Sequence, residues 1–188
     1  MCEREDYGLT DDTENLQDEE NLTELLQIRR DKLKALQDEG RDPFQITRFE
    51  RTDYSADIRD RFEALEGKNV SAAGRILSKR GMGKAIFADL QDDRGKIQIY
   101  VRFNDVGEAA FADFKKFDIG DIIGVTGYVF KTHMGEVSIH VQELKLLSKS
   151  LRPLPEKFHG LTNTELKYRQ RYVDLITNPD TRRTFEIR

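Results

Sequence analysis

The sequence predicts a mainly β fold with helices (α+β), in which a five-stranded barrel lies between N-terminal and C-terminal helical segments. Three observations predict it. Apolar spacing is helical up to about Leu65, changes to strict alternation at Val70, and gives way to helix-capping signals after Leu151. Turn residues cut the alternating stretch into five runs. A stiff connector, Arg152-Pro153-Leu154-Pro155, then closes that stretch off, because each proline fixes its own φ and extends its predecessor. Four units result: 1–20, 21–68, 69–150 and 151–188.

Residues 1–20 hold nine acids against Arg4 alone and almost no apolar side chain, so they are expected to be disordered. A helix is expected over 22–38, capped by Asn21 with Glu24 three residues on and stopped by Gly40. Leu22, Leu25, Leu26, Leu33 and Leu36 form its apolar side, with Arg29, Arg30, Lys32 and Lys34 largely off it. Periodicity favours a solvated basic face over one that meets a phosphate backbone. A shorter helix is expected near 55–65, on Ile58, Phe62 and Leu65.

The five runs are Val70–Leu77, Ala85–Leu90, Lys96–Val101, Ile122–Phe130 and Glu136–Leu147, with a helix at Gly107–Phe117 between the third and fourth. Asp92-Asp93-Arg94-Gly95 and Thr132-His133-Met134-Gly135 read as turns. Three strands, a helix and two strands is the element order of the OB-fold, a Greek-key barrel that often binds oligonucleotides. Beyond the connector, Thr162 and Glu165 form a capping box for a helix to about Ile176, and Asn178-Pro179 opens another. That last helix reads as cut short at Arg188, so 151–188 is expected to be the start of an incomplete domain.

Composition excludes several classes. No apolar run approaches the ~20 residues that span a bilayer. The first residues are acidic and lack a signal-peptide core. Cys2 is the single cysteine, so no internal disulfide can form, in keeping with a cytoplasmic protein. The net charge of −4 divides into about −8 over residues 1–20 and +4 over the rest, which suits an anionic partner without requiring one. The scattered His133, His140 and His159 do not make a zinc site. Lys79 to Lys84 lacks the spacing of a phosphate-binding loop.

Alternation gives the sharpest functional clue. Ile86, Ala88 and Leu90 share one face with Ile97, Ile99 and Val101, which leaves Phe87, Gln98 and Tyr100 on the other, with Arg80 at the end of the first strand. An aromatic ring can stack an unpaired base, and an amide and a guanidinium can bond its edge. The same pattern also allows Phe87 to pack under a loop with Gln98 merely solvated.

Three longer runs carry a family resemblance. Gly74 to Asp92 (GRILSKRGMGKAIFADLQD) resembles the anticodon-binding domain of class IIb aminoacyl-tRNA synthetases. Leu151 to Leu161 (LRPLPEKFHGL) and Tyr168 to Ile176 (YRQRYVDLI) resemble the lysine branch of that class, lysyl-tRNA synthetases of the bacterial type. The resemblance implies a module that reads the anticodon of lysine tRNA, with Phe87 stacking on a base, Arg80 and Gln98 reading the central U, and Glu136 touching the third base. It implies that Arg29, Arg30, Lys32 and Lys34 lie near the anticodon stem. Lysine activation with ATP and magnesium belongs to catalytic motifs of which only the start of the first, near Thr181 to Arg188, is recognisable. No catalytic residue, cofactor or metal is therefore expected in this span, and no aminoacylation by it alone. The full enzyme is expected to be a homodimer, this segment a monomer or weak dimer. A general single-strand-binding OB protein, a protein-interaction OB module and a segment of an aspartate or asparagine synthetase are the competing readings.

Overall fold

The computed structural model describes residues 10–155 and 163–188, with side chains described from residue 22 onward apart from Met82. Helix α1 (Thr10–Asp38) is followed by a 3-10 turn, α2 (Ser55–Asp60) and α3 (Phe62–Leu65). Strands β1 (Asn69–Met82), β2 (Ala85–Gln91) and β3 (Lys96–Arg102) come next, then α4 (Phe103–Val106), α5 (Glu108–Lys116), β4 (Ile122–Lys131) and β5 (Val137–Ser148). Helices α6 (Thr164–Arg169), α7 (Arg171–Thr177) and α8 (Pro179–Ile187) follow.

The strands close into a barrel in the order β1-β2-β3-β5-β4. All pairings are antiparallel except β3 with β5. Strand β1 serves two neighbours: its first half pairs with β4 and its second with β2, across a bulge between Ile76 and Ser78. A bulge bends and twists a strand, and this one lets a single strand turn the corner of a small barrel. The interior is aliphatic, with Ile76, Leu90, Ile99, Ile123, Val125, Val129, Ile139 and Val141 all buried. Phe111, Phe114 and Phe117, and Ile58 from α2, join the same core. Lys79 ties α5 down by donating to the carbonyls of Phe114, Lys115 and Phe117 at 3.0, 3.0 and 2.6 Å. Burial lowers its ammonium pKa, with Asp118 opposing. The carbonyls at a helix C-terminus favour a cation there.

Two turns do more than reverse the chain. Asp92 accepts from Arg94 and Gly95 N–H within the β2–β3 turn, as a turn aspartate should, and also holds the first residue of α2 through Ser55 N–H at 2.6 Å and Ser55 Oγ–H at 2.7 Å. Arg182 of α8 donates to the Asp93 carbonyl at 2.5 Å, joining the C-terminal helices to the same turn.

Several helix expectations are corrected. Helix α1 already runs at Thr10, so Asn21 is not its cap and residues 10–20, expected to be disordered, are helical. Acids suit the positive end of the helix dipole, which composition alone did not weigh. The expected 55–65 helix breaks at Arg61, and the Gly107–Phe117 helix is preceded by the separate α4, the break lying at Gly107 with φ 83°. Thr162 lies outside the described residues; Asn163 caps α6 by accepting from Glu165 and Leu166 N–H. The expected helix to Ile176 is interrupted at Gln170. Asn178 does cap α8, with Pro179 at its first position.

Candidate nucleic-acid interface

The barrel register assembles a continuous row of outward side chains. Arg80 lies opposite Phe87, Phe87 opposite Tyr100, Tyr100 opposite His140, and His140 opposite Tyr128. The next row runs Ser78, Asp89, Gln98, Ser138, Phe130. Within β2 and β3 each of these side chains is the counterpart of a buried neighbour, since buried and more accessible residues alternate along both strands, whereas Ser138 of β5 is itself fully buried.

Arg80, Phe87 and Gln98 therefore share one outer face. Arg80 is exposed, and among the described residues no hydrogen bond or ion pair holds its guanidinium. Phe87 is half-buried against Tyr100, ring centroids 4.7 Å apart and tilted by 36°. That contact supports one side of the ring. Gln98 Oε1 accepts from Ser138 Oγ–H at 3.1 Å, which turns the amide so that its NH2 is the free end. Glu136 stands exposed in the β4–β5 turn, one residue before β5, its N–H donated to Thr132 Oγ1 at 3.1 Å. It falls on the same side of the strand line as Ser138 and His140 by alternation.

The four basic residues of α1 do not form one surface. Arg29, only 9 % exposed, donates to the carbonyls of Ser150, Arg152 and Ile119 at 2.9, 3.2 and 3.2 Å. Lys32 is ion-paired to Asp118 at 2.6 Å. Both clamp the helix to the barrel, and neither is presented to a phosphate. Arg30 and Lys34 are exposed. Conversely Leu22 and Leu25, assigned to the packed stripe, are exposed. The buried side of α1 mixes cation and hydrocarbon, so an apolar periodicity misplaces its centre.

Lys32 belongs to a larger ionic cluster. Lys149 Nζ reaches Asp118 at 2.5 Å and Asp121 at 2.7 Å, and Asp121 also accepts from the N–H groups of Asp118 and Ser150. Burial would raise the Asp118 pKa, but hydrogen bonds from Lys149 and Lys32 bring it below the ordinary 3.8. This cluster fixes α1 and the strand ends. It lies away from the aromatic row and has no exposed reactive group.

Sequence reasoning missed Tyr128, Phe130, Ser138, His140 and Asp105. The signal for the strand residues was present, because each sits at an outward position of a strand whose bounds were read from the sequence. What was absent was any local sign that β3 and β5 are neighbours. A cavity of about 570 Å³ lies elsewhere, lined by Leu77, Gln91, Leu154, Ile176 and Arg182 among others, between the barrel and the C-terminal helices. Among the described residues, no group of three or more His, Cys, Asp or Glu could hold a metal, and no helix is long and apolar enough to cross a membrane.

Residues 70–147 match the tRNA anticodon family, described as an OB-fold nucleic acid binding domain. Outside that span the similarity continues. The chain is 54% identical over 178 residues to a lysine–tRNA ligase of Clostridium tetani, covering 94% of this chain and 36% of the relative. It is 57% identical over 167 residues to one of Clostridium botulinum, strain Langeland, covering 89% and 33%. Against the lysine–tRNA ligase of Pelotomaculum thermopropionicum it is 54% identical over all 188 residues, or 37% of that protein. The chain thus spans about a third of the length of the curated relatives it matches. Residues 70–147 belong to the tRNA anticodon family of OB-fold nucleic acid binding domains, carried in a chain homologous to lysine–tRNA ligases along most of its length.

Proposed function

We propose that this chain is the anticodon-recognition module of a lysyl-tRNA synthetase and binds the anticodon stem-loop of lysine tRNA. The observation that carries the reading is the convergence of Arg80, Phe87 and Gln98 on one accessible barrel face. Phe87, backed by Tyr100, stacks an unpaired base. The free NH2 of Gln98 and the guanidinium of Arg80 are donors only, so they fit the carbonyl of a uracil and oppose the amino group that cytosine carries in its place. Glu136, exposed in the turn beside this face, meets a neighbouring base. Arg30 and Lys34 are the α1 cations left to approach the stem. Ligation of lysine, with ATP and magnesium, is the activity of the whole enzyme, a cytoplasmic homodimer; this span alone needs no cofactor and is a monomer or weak dimer.

The test is a titration of a lysine anticodon stem-loop and of the same loop with its central U changed to C. The U form binds more tightly; equal affinities refute specific reading and leave a general single-strand binder. Phe87→Ala costs ~1–3 kcal/mol on both loops, since stacking ignores base identity. Gln98→Ala and Arg80→Ala instead erode the U/C preference. A Gln98→Ala protein with its preference intact removes that residue from the reading.

Salt dependence separates the α1 cations. Lys34→Ala weakens both loops alike and reduces the slope of log K against log salt by about one. Lys32→Ala leaves the slope unchanged and lowers stability instead, because its ammonium is already engaged by Asp118. Equal slopes for the wild type and Lys34→Ala would exclude a phosphate contact there.

A further inference from the structure

His140 is held at both ring nitrogens in the middle of the outer face. Its Nε2 lies 2.7 Å from Asp105 Oδ2, and its Nδ1 lies 2.7 Å from the Tyr128 hydroxyl. The Tyr128 and His140 rings are stacked, centroids 4.6 Å apart with 24° between planes. Tyr100 meets His140 edge-on at 5.0 Å, and Phe130 lies 6.0 Å from Tyr100 and 6.4 Å from Tyr128. The aromatic surface that begins at Phe87 thus continues across β3, β5 and β4, well beyond the reach of one base.

The hydrogen-bond chain has a direction. A carboxylate only accepts, so Nε2 carries the proton and donates to Asp105. In the neutral ring Nδ1 is then the acceptor, and the Tyr128 hydroxyl must spend its hydrogen on it. The phenolic oxygen is left with lone pairs alone to offer outward. Asp105 sits on α4, the four-residue helix that Gly107 separates from α5. Toward the outside, the chain fixes the polarity of the Tyr128 hydroxyl on the barrel's outer face.

We propose that Tyr128 is a second base-reading residue, adjoining the Phe87 seat, and that Asp105 acting through His140 makes its hydroxyl oxygen an acceptor for the imino N–H of a uracil or guanine. Adenine and cytosine present a ring-nitrogen acceptor at that point of their Watson–Crick edge, which two facing lone pairs would repel. Asp105 is a positioning residue in this arrangement and touches no base. The inference rests on the anticodon reading above, and it adds a residue and a hydrogen-bond polarity to it.

The experiment uses the full chain and anticodon stem-loops in which each anticodon uridine in turn is replaced by N3-methyluridine, which lacks the imino N–H. Methylation at one position lowers the affinity of the wild type roughly three- to tenfold, the size of one hydrogen bond. Tyr128→Phe, which keeps the ring, binds the unmodified loop as weakly as the wild type binds that methylated loop, and methylation there costs it nothing more. Asp105→Ala also erases the penalty at that position, a readout that a merely structural role would not move. Phe87→Ala measured in parallel separates the two ideas. If Phe87→Ala weakens binding while Tyr128→Phe leaves every affinity unchanged, the second reader is overturned and the anticodon reading survives. If neither variant changes any affinity, both are overturned. A methylation penalty that persists undiminished in Tyr128→Phe also overturns the proposal, since another group must then accept that proton.

Discussion

Lys149→Ala is expected to destabilise the fold by about 3–5 kcal/mol, the penalty for leaving a buried charge without its partner. Lys149 is 5% exposed and Asp121 fully buried, and the two meet through both carboxylate oxygens at 3.0 and 2.7 Å. With the ammonium gone, Asp121 keeps only the N–H groups of Asp118 and Ser150. It must then stay charged in a poor environment or take up a proton. Urea unfolding measures the effect: the midpoint falls with the slope unchanged. A midpoint within error of the wild type would mean that water reaches Asp121 and the cluster is not buried in solution.

The same cluster sets an acid limit. Asp118 is held below its ordinary value in the folded state, so the folded state binds fewer protons there than the unfolded one. Its stabilising contribution is complete above the ordinary carboxylate value. It is lost as pH falls through the lower folded value. The acid arm of the stability profile should therefore be shallower in Lys149→Ala, where the largest source of the depression is missing.

Gly127→Ala is expected to cost about 3 kcal/mol, the upper end of what overpacking does in a close-packed interior. A Cβ at 127 would stand 1.9 Å from the His140 carbonyl oxygen and 2.9 Å from the Val141 Cα. Both obstacles are backbone, and neither can rotate away. The register of β4 on β5 shifts between Thr126 and Gly127, so the strands approach where the ladder is already irregular. Relief requires moving the β5 segment that carries His140. The variant should lose stability and, in whatever folded fraction remains, lose affinity for the stem-loop. Gly81→Ala is the control: nothing lies within 4 Å of its added Cβ, and it should be close to neutral. Equal urea midpoints for the two variants would mean that the strands separate readily at the bulge.

Most of the barrel was legible because a strand writes its own orientation into the chain. Alternation put Phe87, Gln98 and Tyr100 outward and Ile97, Ile99 and Val101 inward, and the structure has the latter three buried. The helices were less legible. Helix α1 packs through Arg29 and Lys32 as well as through leucines, and a rule that sorts residues by polarity assigns those cations to solvent. Buried carbonyls and a carboxylate that receive the charge offset the cost of burying it, so a cation can sit on the packed side of a helix. Nothing within α1 reports that Ile119, Ser150, Arg152 and Asp118 will be waiting.

By itself the sequence determined the number and order of the strands, the side that the β2 and β3 residues face, the turns at Asp92 and Thr132, and the helix cap at Asn178. Each of these depends on residues a few positions apart, where backbone geometry and side-chain chemistry act directly. Only the tertiary structure decided which strands lie side by side. The parallel pairing of β3 with β5 brings Tyr100 beside His140 across forty residues, and the pairing of β5 with β4 adds Tyr128. The row of rings and the carboxylate–imidazole–phenol chain exist only because the barrel closes. Closure is decided by burying all the aliphatic faces at once, a collective gain to which no single segment's pattern corresponds.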